Sequence, residues 1–158
     1  MAPRAISSIF FAAGAALGFA IMLNIQRRKA IFAGIGGGLS WFAYELGLMA
    51  TDDFAVSLFI GSMAMGLYSE VLARRLKSPA TIFYIPGFVP LVPGSNAYYA
   101  VLAAVRGDNN EALTQFMNTL IYSAAIALGL TVASALVAIY INARKVTIKN
   151  LVKEIRRQ

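Results

Sequence analysis

The stretch "FMNTLIYSAAIALGLTVASALVAIYI", Phe116 to Ile141, contains no charged residue and decides the class of the fold. An uncharged and mostly apolar run of about 26 residues lets a helix cross the roughly 30 Å hydrocarbon layer of a bilayer with some tilt. The whole chain agrees, since 59% of its residues are hydrophobic and only 13% are charged. Ordinary soluble domains have about a quarter of their residues charged. The sequence therefore predicts an all-α integral membrane protein.

Four more regions, upstream of this run, have the length and apolarity of membrane spans. With the last run, the predicted spans are residues 5–23, 30–50, 54–73, 79–95 and 116–141. The first resembles a secretory signal peptide, but the stronger positive charge follows it, at Arg27 to Lys29, instead of preceding it. We expect a transmembrane domain over residues 1–142, built as a bundle of about five helices.

The charged loops predict how this bundle is oriented. Basic residues cluster at Arg27 to Lys29, at Arg74 to Lys77 and in the tail, whereas Asp52, Asp53 and the "RGDNNE" turn fall in the alternate connections. Short cytoplasmic loops are enriched in Lys and Arg. We therefore expect a plasma (inner) membrane protein with its amino terminus outside and its carboxyl terminus in the cytoplasm. This topology requires the fourth segment to cross the membrane.

The fourth segment contains a stretch that breaks its own helix. "IPGFVPLVPG", Ile85 to Gly94, has three prolines and two glycines. Each proline lacks an amide donor and crowds the carbonyl four residues earlier. Lipid cannot satisfy the freed groups, so such backbone is buried in protein or lines a wet cavity, and in transporters it often forms the substrate site. The structural alternative is a kinked helix whose freed carbonyls bond to neighbours.

Residues in and just after the break are the predicted substrate site. The break would supply backbone carbonyls and amides, and the following "GSNAYY" supplies side chains that suit an amino or carboxylate group. The predicted substrate-binding residues are Pro86, Gly87, Pro90, Pro93, Gly94, Ser95, Asn96 and Tyr98.

Two carboxylates are candidates for coupling or gating. Glu45 lies inside the second predicted span, where a charge is costly unless it faces protein or water. It fits a proton-coupling group, an interfacial side chain that reaches the headgroups, or a structural hydrogen-bond acceptor. Glu70 precedes Arg74 by one helical turn, the spacing of an ion pair. That pair is either a salt bridge at the membrane boundary or part of an inner gate.

Small residues and a basic tail complete the pattern. Glycines spaced four apart in "GAALG", Gly14 to Gly18, and in "GIGGG", Gly34 to Gly38, predict close helix packing, as does the row Ala125, Gly129 and Ala133. The tail, residues 143–158, is predicted to be a basic amphipathic helix. Its apolar stripe would lie on the anionic cytoplasmic leaflet or on a partner subunit, and this stripe argues against nucleic-acid binding. The stripe consists of Ile148, Leu151, Val152 and Ile155.

The central region resembles a known family. The run "SEVLARRLKSPATIFYIPGFVPLVPGSNAYYAVLAAVRGDNNEA", Ser69 to Ala112, is similar to the signature region of threonine/serine exporters. The shared features are a Glu before a basic patch, a Pro-Ala-Thr start, a Pro-Gly followed by Leu-Val-Pro-Gly, and a Gly-Asp turn. The resemblance implies the small membrane subunit of a secondary exporter of small polar metabolites, either threonine and serine or a dicarboxylate such as succinate. It also implies a larger membrane partner of the same family, or self-association in its place.

The residue inventory limits other functions. The chain has no Cys and no His, which removes thiolate nucleophiles, imidazole bases and the usual zinc ligands. We therefore predict no enzyme activity, no cofactor and no metal site. An intramembrane enzyme is a second alternative, but the only acid/base groups predicted at membrane depth are Glu45, Glu70 and tyrosines, and those two carboxylates are far apart in sequence. A membrane scaffold that assembles with a larger partner, without binding substrate itself, is the main alternative.

Overall fold

The protein is a bundle of six helices, seen in a computed structural model that describes the backbone of residues 3–155 and the side chains of residues 6–143. The described residues contain no strand, which confirms the predicted all-α class. The helices are α1 (Pro3–Met22), α2 (Arg27–Thr51), α3 (Phe54–Arg75), α4 (Thr81–Phe88), α5 (Gly94–Val105) and α6 (Asn109–Ile155), with a 3₁₀ turn (Val89–Leu91) between α4 and α5.

A tight acidic corner makes α2 and α3 antiparallel neighbours. Asp52 ends α2 in the left-handed conformation, with φ of 54°. Asp53 then caps α3, because its carboxylate accepts a 2.9 Å hydrogen bond from the Val56 amide. Aspartate is favoured at both kinds of position, since its short polar side chain tolerates positive φ and satisfies the free amides of a helix start. The two acidic residues therefore terminate one helix and begin the next.

Small residues bring the helices into close contact at specific places. A Cβ atom at Gly37 would overlap the Ala16 Cβ atom, which shows how closely α2 approaches α1. Gly129 of α6 meets α3 in the same way, because a Cβ there would overlap the Ser62 hydroxyl. The prediction of close packing therefore holds for these glycines. Gly14 and Gly18 differ, since a Cβ at either one would meet open space.

Two of the described helices are long and apolar enough to cross a membrane: α3, and α6 over Asn109–Ala143. The bent pair α4–α5 would make a third if it is one broken span, and its two parts meet at 52°. The apolar part of α1, Ile6–Met22, is shorter. Helix α2 is long enough, but its glycines and polar residues lower its mean hydropathy. The five-span topology therefore stays a prediction.

The outward faces of the bundle are apolar. Phe10, Phe11 and Ile139 are among many large apolar side chains that are more than half exposed. Such a surface is expected of helices that contact lipid or another membrane subunit rather than water. The backbone of α6 continues as one helix into the basic tail as far as Ile155. The predicted apolar stripe of that tail lies outside the residues whose side chains the structure describes.

Candidate functional site

The backbone break lies later in the chain than its first proline suggests. Pro86 is inside α4, which continues to Phe88, so the α-helix of the fourth segment ends after this proline. Its φ is compatible with a helix, and its missing amide removes only the bond to the Ile82 carbonyl. The α-helix gives way to the 3₁₀ turn at Val89, and the chain turns at Pro93.

Carbonyls around the break find partners within the protein. Pro90 has no amide hydrogen to donate to the Pro86 carbonyl, which instead accepts from the Val89 amide. Pro93 likewise cannot donate to the Val89 carbonyl, which accepts from the Val92 amide at 3.2 Å. The Gly87 carbonyl accepts from the Ser40 hydroxyl of α2, also at 3.2 Å. This much agrees with the kinked-helix alternative, and it leaves amides and side chains as the groups best placed to meet a ligand.

The turn at Pro93 exposes the start of α5. Pro93 has φ of −76° and ψ of 53°, and the Gly94 amide donates to the Val92 carbonyl at 2.7 Å. These values describe an inverse γ-turn. The Ser95 and Asn96 amides follow in the first turn of α5, where amides have no acceptor within the helix. The partial positive charge of this helix end favours an anion.

A cavity of about 210 Å³ opens beside this turn. Its wall combines side chains of α2, α3 and α6 with the break and the first turn of α5. The lining residues are Trp41, Tyr44, Phe54, Leu58, Pro90, Leu91, Val92, Pro93, Ser95, Asn96 and Tyr122.

Aromatic rings form two pairs around this cavity. The centroids of Trp41 and Tyr44 are 5.1 Å apart, and those of Phe54 and Tyr122 are 6.3 Å apart. Ring faces attract cations, whereas a helix start attracts anions. The cavity therefore places two opposite kinds of binding group around one small volume.

Four of the predicted substrate-binding residues line the cavity: Pro90, Pro93, Ser95 and Asn96. Pro86 and Gly87 are instead buried where α4 packs on its neighbours, and a side chain at Gly87 would overlap the end of Met65. Gly94 and Tyr98 are exposed and do not line the cavity, and Tyr98 lies edge-on to Tyr99 with centroids 5.5 Å apart.

The aromatic residues of the cavity were missed by sequence reasoning. Trp41 and Tyr44 are three apart on α2, so they lie on one helix face, and this spacing was the available signal. Phe54 and Tyr122 had none, because their pairing depends on how α3 packs against α6.

Asn96 is connected to α6 by a short row of hydrogen bonds. Its Nδ2 atom donates to Gln115 Oε1 at 2.8 Å. Gln115 Nε2 in turn donates to Glu111 Oε1 at 2.7 Å, one turn earlier on the same helix. The row fixes the first turn of α5 against α6 beside the cavity.

Glu45 is half-buried next to the cavity without lining it. Its Oε1 atom accepts a 3.2 Å hydrogen bond from Trp41 Nε1. Of the roles considered for this carboxylate, the structural hydrogen bond is present in the structure, and proton coupling stays a prediction.

Glu70 makes the ion pair that its spacing predicts. Its Oε2 atom lies 3.3 Å from Arg74 Nη2, and the arginine side chain is 52% exposed. Exposed pairs of this kind contribute about 0–1 kcal/mol. Within the side chains described, no second helix supplies a partner to this pair, so a gating role stays a prediction. Among these same side chains, no group of three or more acidic residues is arranged to hold a metal ion.

Comparison with known proteins places the chain in a transport context. Residues 8–136 match the family model described as "Threonine/Serine exporter, ThrE". A relative from Haemophilus influenzae (strain ATCC 51907 / DSM 11121 / KW20 / Rd), named "Uncharacterized protein", is 23% identical over 141 residues. That alignment covers 84% of this chain and 48% of the relative, so the chain spans about half the length of the curated relative. No solved structure matches the chain.

Proposed function

Because the chain belongs to the threonine/serine exporter family, we propose that it is the membrane subunit of a secondary exporter and binds a small zwitterionic amino acid in the cavity beside Pro93. One observation supports the location above the others: aromatic residues and two residues of the first turn of α5, Ser95 and Asn96, line the same cavity. Its volume of about 210 Å³ is below the roughly 300 Å³ at which drug-sized pockets begin, which suits a small metabolite.

The two ends of the amino acid would bind to different groups. The carboxylate would accept hydrogen bonds from the Ser95 and Asn96 amides and from the Ser95 hydroxyl, at the positive end of α5. The ammonium group would lie against the ring faces of Trp41, Tyr44 or Tyr122, where such a contact contributes about 0.5–2 kcal/mol. A dicarboxylate such as succinate has no cation for these rings. The aromatic half of the cavity therefore favours threonine and serine over succinate.

Export would proceed by alternating access around the bent pair α4–α5. The turn at Val92 and Pro93 is the natural hinge. The regular α-helical hydrogen-bonding pattern is replaced there by a 3₁₀ bond from the Val92 amide and an inverse γ-turn bond from the Gly94 amide. Export against a gradient requires an energy source, which a proton gradient would supply, and Glu45 is the carboxylate best placed to carry the proton. Protonation of Glu45 would weaken its hold on Trp41 and so link a proton to the shape of the cavity.

The membrane arrangement proposed is that of five crossings, with the amino terminus outside and the carboxyl terminus in the cytoplasm of the cell that encodes the chain. A partner is also proposed, either a larger membrane subunit or a second copy. The Haemophilus relative supports this, because more than half of its length lies outside the region shared with this chain. The apolar outer faces of α1 and α6 offer surfaces for such a partner.

The function is tested by transport of labelled threonine, serine and succinate in vesicles that contain the chain, with and without its larger partner. Tyr122→Ala and Asn96→Ala are compared with Val101→Ala, an exposed α5 position outside this cavity, at matched membrane abundance. We expect export of the amino acids to fall in the first two variants only. Succinate as the favoured substrate would contradict the zwitterion site. Normal export in every variant, with the chain still required, would favour the scaffold alternative.

A further inference from the structure

In the row of hydrogen bonds from Glu111 through Gln115 to Asn96, the chemistry of Glu111 fixes which atom of each amide donates and which accepts. We infer that Glu111 and Gln115 are positioning residues that turn the Asn96 side chain so that its oxygen, and not its NH₂ group, is offered to the substrate. The inference rests on the proposed function, because it assigns a specific task to one residue of the same cavity.

The Glu111 carboxylate determines the orientation of the Gln115 amide. An ionised carboxylate only accepts hydrogen bonds, whereas a glutamine amide has an NH₂ donor at one end and an oxygen acceptor at the other. Gln115 must therefore present its NH₂ group to Glu111, to which Nε2 donates at 2.7 Å. Its oxygen is then the atom that faces α5.

Asn96 is oriented by the same rule. Because Gln115 offers an oxygen, Asn96 must donate from its NH₂ group, as Nδ2 does at 2.8 Å. The Asn96 Oδ1 atom is left over. Among the side chains described, none donates to it, although Asn96 is half-buried and lines the cavity. A half-buried acceptor of this kind is satisfied by a ligand that brings a donor or by water.

The free Asn96 oxygen favours ligands that carry a hydrogen-bond donor. Asn96 Oδ1 would accept a hydrogen bond from an ammonium or hydroxyl group of the substrate. A fully ionised dicarboxylate has only acceptors, so it would place oxygen against oxygen at this point. The row from α6 therefore adds discrimination against dicarboxylates to that already provided by the aromatic rings, although neither Glu111 nor Gln115 lines the cavity.

Substitutions at position 115 test this direction with two charged side chains of opposite hydrogen-bonding character. Gln115→Glu gives an acceptor, which keeps the Asn96 orientation. Gln115→Lys gives a donor, which attracts Asn96 Oδ1 and turns its NH₂ group toward the cavity. Loss of one hydrogen bond corresponds to about a tenfold change. We expect the KM for serine export to be about tenfold higher in Gln115→Lys than in Gln115→Glu, with little difference in kcat.

A double variant separates orientation from structural damage. Asn96→Asp in the Gln115→Lys background has acceptor oxygens on both sides, one for the lysine and one for the substrate. We therefore expect it to recover most of the lost affinity for serine. The exposed position Glu111 provides an independent route to the same effect. Glu111→Lys should reverse Gln115 and then Asn96, and Asn96→Asp should rescue it as well.

These substitutions are made in the gene of the organism that encodes the chain, so that any partner is present, and export is measured in its vesicles at matched abundance. Comparison of serine with alanine identifies the donor: a loss confined to serine indicates the hydroxyl, and an equal loss for both indicates the ammonium. Equal KM values in Gln115→Glu and Gln115→Lys, or no rescue by Asn96→Asp, would overturn the inference. Failure of the wild type to export either amino acid would instead refute the proposed function.

Discussion

Trp41 Nε1 lies 3.2 Å from Glu45 Oε1, so the carboxylate inside the second predicted span holds the indole ring that lines the cavity. The two residues are one turn apart on α2, and the ring of Tyr44 lies 5.1 Å from that of Trp41. A change at Glu45 would therefore alter the position of an aromatic ring in the proposed binding site as well as the charge beside it.

The first prediction separates these two effects of Glu45. Glu45→Gln keeps an oxygen that accepts from Trp41 but cannot exchange a proton, whereas Glu45→Leu loses both. If Glu45 couples protons, Glu45→Gln should abolish transport driven by a proton gradient and retain exchange of substrate across the membrane without one. Glu45→Leu should impair both processes. Vesicles loaded with labelled threonine measure each process separately. Proton-driven transport by Glu45→Gln at the wild-type rate would exclude the coupling role.

The second prediction uses the fact that Trp41 is the single tryptophan of the chain. Binding of an ammonium group against its ring should change its fluorescence, because the surroundings of the ring change when a ligand fills the cavity. We expect a saturable change when purified protein is titrated with threonine, and a much smaller one with succinate. Asn96→Ala should shift the titration to higher threonine concentration. A threonine titration without any spectral change would place the substrate elsewhere.

The third prediction concerns the contact between α3 and α6. A Cβ at Gly129 would overlap the Ser62 hydroxyl and lie 2.5 Å from the Phe59 carbonyl oxygen. Gly129→Ala should therefore force the two helices apart and lower the free energy of unfolding by about 1–3 kcal/mol. Unfolding in detergent, followed by heating or by denaturant, measures this loss.

Gly14→Ala is the matched control for that substitution, because a Cβ there meets open space on a helix of the same bundle. It should be neutral or stabilise the protein by about 0.4–1 kcal/mol, since alanine restricts the unfolded chain. Equal effects of the two substitutions would show that the α3–α6 contact is not close.

The fourth prediction concerns the turn at Pro93. Pro93→Ala restores an amide that can donate to the Val89 carbonyl, so the 52° bend between α4 and α5 should become smaller and export should fall. Spin labels on cysteines at the exposed positions Ile85 and Val101 report the distance between the two helices. We expect a longer distance in Pro93→Ala. Pro86→Ala lies within α4 and should leave the distance unchanged.

The fifth prediction tests the orientation of the chain. The sequence contains no cysteine, so single cysteines can be introduced without background. A membrane-impermeant maleimide added to intact cells should label a cysteine at Asn109 and spare one at Lys77, both of which are exposed. Labelling of both positions after permeabilisation is the control. Labelling at Lys77 alone in intact cells would contradict the proposed topology and indicate the opposite orientation.

The sequence by itself determined the class of the protein and the region of its site. The uncharged run from Phe116 to Ile141 required a helical membrane protein, because lipid cannot satisfy exposed backbone groups. The prolines and glycines of the stretch from Ile85 to Gly94 indicated an interruption of the helix, because proline lacks an amide donor. Both conclusions depend on local properties of the chain, its hydropathy and its missing amide donors, which can be read without knowing how the helices pack.

Only the tertiary structure decided which residues meet at that interruption. Pro86 proved to be helical and Tyr98 faced outward, while Trp41 and Tyr122, which are far apart in sequence, came to the same cavity as Asn96. Periodicity could not predict this, because lipid-facing and protein-facing side chains are both apolar in a membrane bundle and show little contrast along a helix. The direction of the Asn96 amide likewise depends on Glu111 and Gln115, which reach it only because α5 packs against α6.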